Sequence, residues 1–324
     1  GSTTFATIGN SQLTLESPQS YGGKTFRSGS TLQLQDDASI LNTSAIELNS
    51  ANLNIYNNVN LITGNANRVS DTAPITMRSS AITLTGRPKT ASTETMGALT
   101  VAMGANTLNS NNGNGTNTVF SSSDLTFLSL SRAGGTTLNF TSNSNFGLPG
   151  NSGRIFFSND PSTLASGLLG AWAIANTTDY AAYDSFNGVS SVGQGGVTPQ
   201  YDSAFGSGKL TNLIATTGTS TAIVTGGTTS AMLRIAGNYQ NDLTFQSATD
   251  VLNLELGGLL RDNSGGSTNI GSGTLGGFHR QLQILEHQRG RKAALISGLL
   301  GSAVGMAIFG TSTTYAQGSS ASVC

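Results

Sequence analysis

The chain repeats a short phrase in which a turn of Gly, Asn or Ser is followed by alternating apolar and polar residues. Examples are Thr31-Leu-Gln-Leu34, Ala45-Ile-Glu-Leu48, Asn52-Leu-Asn-Ile55 and Ala81-Ile-Thr-Leu84. Alternation with a period of two is typical of a half-buried strand. Strands that recur at short spacing through a long chain favour a coiled stack of strands. The sequence therefore predicts an all-β fold, a β-solenoid (β-helix).

The low charge of the chain limits its partners. Charged residues make up 10% of the sequence and the net charge is -1, whereas an average soluble domain is about 25% charged. This balance gives no electrostatic reason to expect nucleic acid or an anionic membrane surface as a partner. The single cysteine, Cys324, excludes an intrachain disulfide and a thiolate-rich metal site.

Composition divides the chain into a repeat region and a different terminal region. We predict that residues 1–277 form the solenoid. Within them, residues 150–208 read as an insertion-like stretch that is richer in aromatic residues. Residues 278–324 comprise a basic linker, a hydrophobic segment and a polar tail.

The hydrophobic segment spans residues 293–309 and is predicted to be helical. Three interpretations stay open: a membrane or interaction helix, a cap or donor element that docks on a solenoid end, or a leader sequence displaced from its usual position. Any membrane contact of the chain is expected only here. The residues proposed for assembly or membrane contact are Leu295, Ile296, Leu299, Leu300, Val304, Met306, Ile308 and Phe309.

Catalytic and metal-binding patterns are not found in the sequence. Solenoid enzymes that cleave polysaccharides carry paired carboxylates on one face, but Asp36-Asp37 falls at an expected turn, where Asp is favoured. His279 and His287 both lie in the linker, so no serine of the repeat region has a nearby histidine to activate it. We therefore predict no enzyme activity, no cofactor and no metal site.

The aromatic stretch holds the candidate glycan contacts. Aromatic rings next to carboxylates can line a sugar-binding groove, and such a cluster is formed here by Trp172, Tyr180, Tyr183, Asp179 and Asp184. The alternative interpretation is structural: the acidic residues cap turns while the aromatic residues cover the rod.

Three segments resemble a known repeat family. Residues 21–34, from Tyr21-Gly-Gly-Lys-Thr to Gly29-Ser-Thr-Leu-Gln-Leu34, resemble the autotransporter-associated β-strand repeat, and Thr95-Met-Gly-Ala-Leu-Thr-Val101 resembles the phrase that follows it. Residues 168–184, with Asn187-Gly188 after them, resemble the inserted aromatic block of such proteins. The likeness covers about residues 1–277.

The resemblance implies a passenger-type β-helix on a bacterial surface or in the extracellular space. We expect a structural or adhesive protein that assembles end to end into a filament or layer, with other copies of itself as the main partner and surface glycans or host matrix molecules as further ones. The alternative is a carbohydrate-binding or polysaccharide-cleaving β-helix that acts through residues 150–208. The chain departs from the family pattern because residues 293–309 are foreign to it and no amphipathic barrel strands follow the repeats.

Overall fold

The described part of the chain is built from strands and turns. The structure is a computed structural model that describes residues 3–58, 67–113, 121–143, 145–162, 164, 166–194, 199–214, 217–262, 268, 270–271, 274–276, 294–298, 305–308 and 321–322. Within these ranges no α-helix occurs. The all-β prediction is therefore confirmed.

The first eighteen strands are short. In chain order they are β1 (Phe5–Ile8), β2 (Leu13–Leu15), β3 (Thr25–Ser28), β4 (Thr31–Leu34), β5 (Ile46–Asn49), β6 (Asn52–Tyr56), β7 (Ile75–Arg78), β8 (Ala81–Thr85), β9 (Ala91–Met96), β10 (Leu99–Met103), β11 (Ala105–Asn111), β12 (Ser122–Phe127), β13 (Leu130–Arg132), β14 (Thr137–Thr141), β15 (Gly153–Phe157), β16 (Ala173–Ala175), β17 (Asp179–Asp184) and β18 (Gly188–Ser191).

We call strands β1–β18 the first stack, and consecutive strands from β1 to β16 lie in different sheets. Wall A is the six-stranded sheet β1-β3-β5-β7-β10-β13, wall B is the nine-stranded sheet β18-β17-β16-β14-β11-β8-β6-β4-β2, and wall C is the three-stranded sheet β15-β12-β9. All pairs in walls A and C are parallel, and so are the pairs of wall B from β2 to β16. Within a wall, each strand except the first and the last therefore pairs with one strand that precedes it in the chain and one that follows it.

Because neighbouring strands pair in register, their apolar side chains line up in rows inside the stack. On wall B, Leu32 pairs with Leu53, which in turn pairs with Ile82, and all three are fully buried. The alternating residues of the same strands point outward and stay partly exposed. Burial of one such aliphatic side chain contributes about 1.5–3 kcal/mol, so the rows stabilise the stack along its whole length.

Strands β16, β17 and β18 close this end of wall B in antiparallel pairing. Both faces of this meander are buried: Ala173 and Tyr183 belong to the core of the first stack, whereas Ile174 and Tyr180 belong to a second apolar cluster. A strand that is buried on both faces reads as a nearly continuous apolar run, which accounts for the sequence of residues 168–183. The insertion-like stretch thus supplies β15 to wall C and three strands to wall B.

Strands β19 to β25 form a second stack. Its strands are β19 (Tyr201–Asp202), β20 (Gly206–Ile214), β21 (Thr219–Val224), β22 (Gly227–Ala236), β23 (Gln240–Phe245), β24 (Val251–Arg261) and β25 (Thr274–Gly276). They form a five-stranded parallel sheet, β19-β20-β22-β24-β25, and a two-stranded parallel sheet, β21-β23. The interior contains Leu233, Ile235, Leu243, Leu252 and Leu254.

The described parts of the terminal region are strands: β26 (Ala294–Gly298), β27 (Gly305–Ile308) and β28 (Ala321–Ser322), with β26 antiparallel to both others. The helix that we predicted for residues 293–309 is not found in the nine described residues of that segment. An apolar run of this length fits a strand or a helix equally well by periodicity alone. The other residues of the segment lie outside the described residues.

Candidate functional site

Trp172, the first of the candidate glycan contacts, lies at the end of the first stack, immediately before β16. Its side chain is 9% exposed and belongs to the core of that stack. The Arg132 guanidinium lies over the indole ring, 5.0 Å from the ring centroid. A cation in this position is attracted by the electron-rich face of the ring. Arg132 therefore covers one face of the indole ring.

Tyr183 is bound to wall C. Its hydroxyl donates a hydrogen bond to the Phe157 carbonyl oxygen at 2.7 Å and accepts one from the Phe157 N–H at 3.3 Å. The two rings are tilted, with centroids 6.1 Å apart. Burial raises the pKa of Tyr183 above its usual value. The side chain thus connects β17 to β15.

Tyr180 points the opposite way, into the second stack. Its hydroxyl donates to the Leu233 carbonyl oxygen at 3.0 Å, and its side chain is 1% exposed. Burial raises the pKa of Tyr180 well above its usual value. Gly258 leaves room for this side chain, because a Cβ at that position would lie 2.8 Å from the Tyr180 hydroxyl oxygen.

Asp179 lies in a charged cluster between the stacks. Its Oδ1 is 3.0 Å from Arg234 Nε, and Arg234 Nη2 is 3.2 Å from Asp262 Oδ2. Arg234 also donates to the Thr178 carbonyl oxygen at 2.8 Å, and its guanidinium lies 5.5 Å from the Tyr201 ring centroid. Burial raises the pKa of Asp179, although Arg234 opposes this shift. The cluster is a compact network of ionic and hydrogen-bonded groups, which we call the junction cluster.

Asp184 caps a tight turn. Its Oδ1 accepts the backbone N–H groups of Phe186 at 2.9 Å and Asn187 at 2.7 Å, and its Oδ2 accepts the Asn187 side-chain amide at 3.1 Å. This is the local hydrogen bonding for which Asp is favoured in turns. The role matches the structural interpretation given to the acidic residues of this stretch.

The five candidate glycan contacts therefore do not come together on an open surface. Trp172 and Tyr183 face the first core, Tyr180 faces the second cluster, and Asp179 is paired with a cation. These side chains connect the two stacks, and their aromatic rings do not form an exposed surface on which a sugar could stack. The aromatic ring that this stretch does expose belongs to Phe186, which is 71% exposed.

A buried acid that sequence reasoning missed lies inside wall C. Glu94 is 1% exposed, and its carboxylate accepts the backbone N–H groups of Val69 at 2.9 Å and Arg68 at 3.1 Å. Burial raises the pKa of Glu94 to about 8, opposed by these N–H donors and by the Arg68 charge. The alternation of Ala91–Met96 already places Glu94 on the same face as Ser92 and Met96. That signal could have identified an inward-facing acid.

The Arg68 side chain is also fully buried. Its Nε donates to Asn57 Oδ1 at 2.7 Å, and its Nη1 donates to the Ala38 carbonyl oxygen at 2.8 Å. Burial lowers the pKa of Arg68, and the charge of Glu94 opposes this shift. Glu94 and Arg68 thus hold the segment around residues 67–70 against the neighbouring turns.

The proposed assembly or membrane residues are only partly described. Leu295 and Ile296 lie in β26, and Met306 and Ile308 lie in β27. Leu299, Leu300, Val304 and Phe309 fall outside the described residues, as do His279, His287 and Cys324. In the described ranges, no helix has the length and apolar character needed to cross a membrane.

Strands β1 and β2 form the first edge of the stack among the described residues. They are the terminal strands of walls A and B, and each pairs with a single neighbour in the described structure. Phe5, Leu13, Leu15 and Tyr21 are partly buried beside this edge and pack against the core. Neither strand contains a charged residue or a proline.

Among the described residues, no group of three or more His, Cys, Asp or Glu side chains is placed to hold a metal ion. Comparisons with protein-family models, with curated proteins and with solved structures give no match. The function proposed for this chain therefore depends on its own residues.

Proposed function

We propose that the chain is a structural β-solenoid rod of a bacterial surface or extracellular matrix, which joins other copies of itself end to end and has no enzyme activity. The observation that carries this proposal is the parallel stacking of strands, in which β1 and β2 each pair with a single neighbour among the described residues. Unpaired strand edges recruit other strands, and proteins that stay monomeric protect such edges with charges, prolines or covering segments.

The backbone groups and side chains at the edge formed by β1 and β2 favour another β-strand as the binding partner. In the described structure the outer N–H and C=O groups of β1 and β2 have no strand partner, and Phe5 stacks on Tyr21 with ring centroids 5.2 Å apart. A strand that pairs here would satisfy the backbone groups and cover the partly exposed apolar residues. Strand addition of this kind is an established mode of protein association.

The apolar segment 293–309 is the element that we propose joins the copies. It is rich in small and aliphatic residues, and its described parts, β26 and β27, are strands. A segment that can form strands is suited to extend a parallel stack beyond its last paired strand. The resemblance to autotransporter-type passengers supports the extracellular location.

Electron microscopy of the intact chain and of a chain truncated after Gly277 tests the proposal. We expect filaments or layers from the intact chain and single rods from the truncated one, both with the same circular dichroism spectrum. Single rods in both samples would contradict end-to-end assembly. The carbohydrate alternative would replace the proposal if Asp184→Asn abolished binding to a glycan array while the melting temperature stayed unchanged.

A further inference from the structure

The outward face of wall B carries a regular array of polar side chains. Its central row runs through six consecutive strands of the sheet in direct register. The members of this central row are Thr14, Gln33, Asn54, Thr83, Asn109 and Thr141. All of them keep part of their surface in solvent.

A second row lies beside the first. Thr31 pairs with Asn52, Asn52 with Ala81, Ala81 with Thr107, and Thr107 with Asn139. Neighbouring strands lie about 4.8 Å apart, and outward residues two apart along one strand are separated by about 6.6 Å. The face is therefore a two-dimensional lattice in which hydroxyl and amide groups occupy every position of these two rows except Ala81.

This lattice carries no charge on its strands. None of β2, β4, β6, β8, β11 and β14 contains Asp, Glu, Lys or Arg. The outward faces of the other walls do carry charges: Glu47 pairs with Lys24 beside wall A, and Asp124 pairs with Arg154 on wall C. In the described structure, charges near these six strands include Glu16, to which Gln35 donates at 3.1 Å, and wall B itself carries Asp179 and Asp184 on β17, outside the six strands.

The polar side chains hold one another in place. Asn54 Nδ2 donates to Gln33 Oε1 at 2.8 Å, and Gln33 Nε2 donates to Gln35 Oε1 at 2.7 Å. Side chains that are ordered before binding lose less conformational entropy when a ligand arrives. Hydroxyl and amide groups also both donate and accept hydrogen bonds, so the face suits a ligand that does the same.

The absence of charge on these six strands and the many hydrogen-bonding groups of the face favour one class of ligand. An ionic polymer would need charges of the opposite sign, and the two rows described above contain no aromatic or Arg side chain of the kind that anchors protein interfaces. A neutral polysaccharide repeats hydroxyl groups along an extended chain. Each hydrogen bond to it contributes little by itself, but many equivalent contacts along a repeating surface add up.

We propose that the outward face of wall B binds extended, uncharged polysaccharide chains. The proposal makes use of the extracellular location given under the proposed function, but it does not depend on end-to-end assembly. The site is distinct from the aromatic stretch 150–208, because its hydrogen-bonding groups come from Thr, Asn and Gln of the repeats.

The test measures depletion of the full chain from solution by microcrystalline cellulose and by chitin. The variant carries Thr83→Val, Thr107→Val and Thr141→Val, which remove hydroxyls from wall B and keep side-chain shape. The control carries Thr76→Val, Thr93→Val and Thr100→Val, which make the same change at outward positions of walls A and C. We expect the wall B variant to lose affinity at least about tenfold and the control to bind like the unmodified chain.

Three results would overturn the proposal: no depletion by either polymer, equal loss in both triple variants, or full binding by the wall B variant. Loss of filaments in the wall B variant with unchanged polysaccharide binding would also overturn it, because the face would then be an interface between copies. Electron microscopy of the same samples separates this inference from the assembly proposal. Filaments without polysaccharide binding would reject the inference alone.

Discussion

The Glu94 carboxyl group accepts the backbone N–H of Val69 at Oε1, at 2.9 Å, inside the first stack. Glu94 pairs in register with Leu125, and Leu125 pairs with Ile155, so the acid occupies a position that is aliphatic on the next two strands. A carboxyl group is retained here because it satisfies N–H groups that an aliphatic side chain would leave unpaired. An unpaired buried N–H group costs about 1–3 kcal/mol.

The buried Glu94 predicts a pH dependence of stability. Its pKa is raised from 4.5 to about 8, so between these pH values the folded chain holds a proton that the unfolded chain has lost. This contribution to the free energy of unfolding is fully present below about pH 4.5 and is lost as pH rises through about 8. Denaturant unfolding at pH 5, 7 and 9 should show a decline that flattens in Glu94→Gln. An equally steep decline in the variant would assign it to other groups.

Arg234 is predicted to be the critical residue of the junction cluster. Arg234→Met would leave Asp179 without its cation, whereas Asp262 keeps its pair with Arg261, and breaking a buried pair in this way costs about 3–5 kcal/mol. The control is Lys24→Met, which breaks the exposed pair with Glu47 and should cost at most about 1 kcal/mol. Both values come from denaturant unfolding at pH 7. Equal small effects would show that the junction cluster does not hold the stacks together.

Gly153 is predicted to tolerate no side chain. A Cβ at this position would lie 1.6 Å from the Ser110 carbonyl oxygen, so Gly153→Ala requires the backbone of two walls to move apart. Overpacking of this kind typically costs about 1–3 kcal/mol or more. Gly227→Ala is the control, because a Cβ there meets nothing within 4 Å. A melting temperature that is unchanged in Gly153→Ala would contradict the close packing of β15 against β11.

The sequence predicted individual strands, but it did not predict which other parts of the chain pack against them. Alternation at Thr31–Leu34 and Asn52–Tyr56 predicted half-buried strands, and both segments have that burial pattern. Residues 150–208 were interpreted as an insertion-like stretch because no local pattern reveals that two cores flank β16–β18. The pairing of Asp179 with Arg234 depends on the contact between the two stacks, which sequence periodicity does not encode.

The proposed edge contact depends on the direction of backbone groups in β1. Phe5 N donates to the Lys24 carbonyl oxygen at 2.9 Å, and Gly9 N donates to the Ser28 carbonyl oxygen at 3.1 Å. In a parallel ladder alternate residues bond to the same neighbour, so the Ala6 N–H points away from β3, towards the open edge. Ala6→Pro removes this donor while the pairing of β1 with β3 keeps its own hydrogen bonds.

The most direct test compares the lengths of assemblies formed by the intact chain, Ala6→Pro and Ala6→Thr in negative-stain electron microscopy. Ala6→Thr keeps the N–H and favours the strand, so it controls for the changed side chain. We predict filaments from the intact chain and from Ala6→Thr, and single rods with an unchanged melting temperature from Ala6→Pro. Filaments of equal length in all three samples would contradict assembly through the β1 edge.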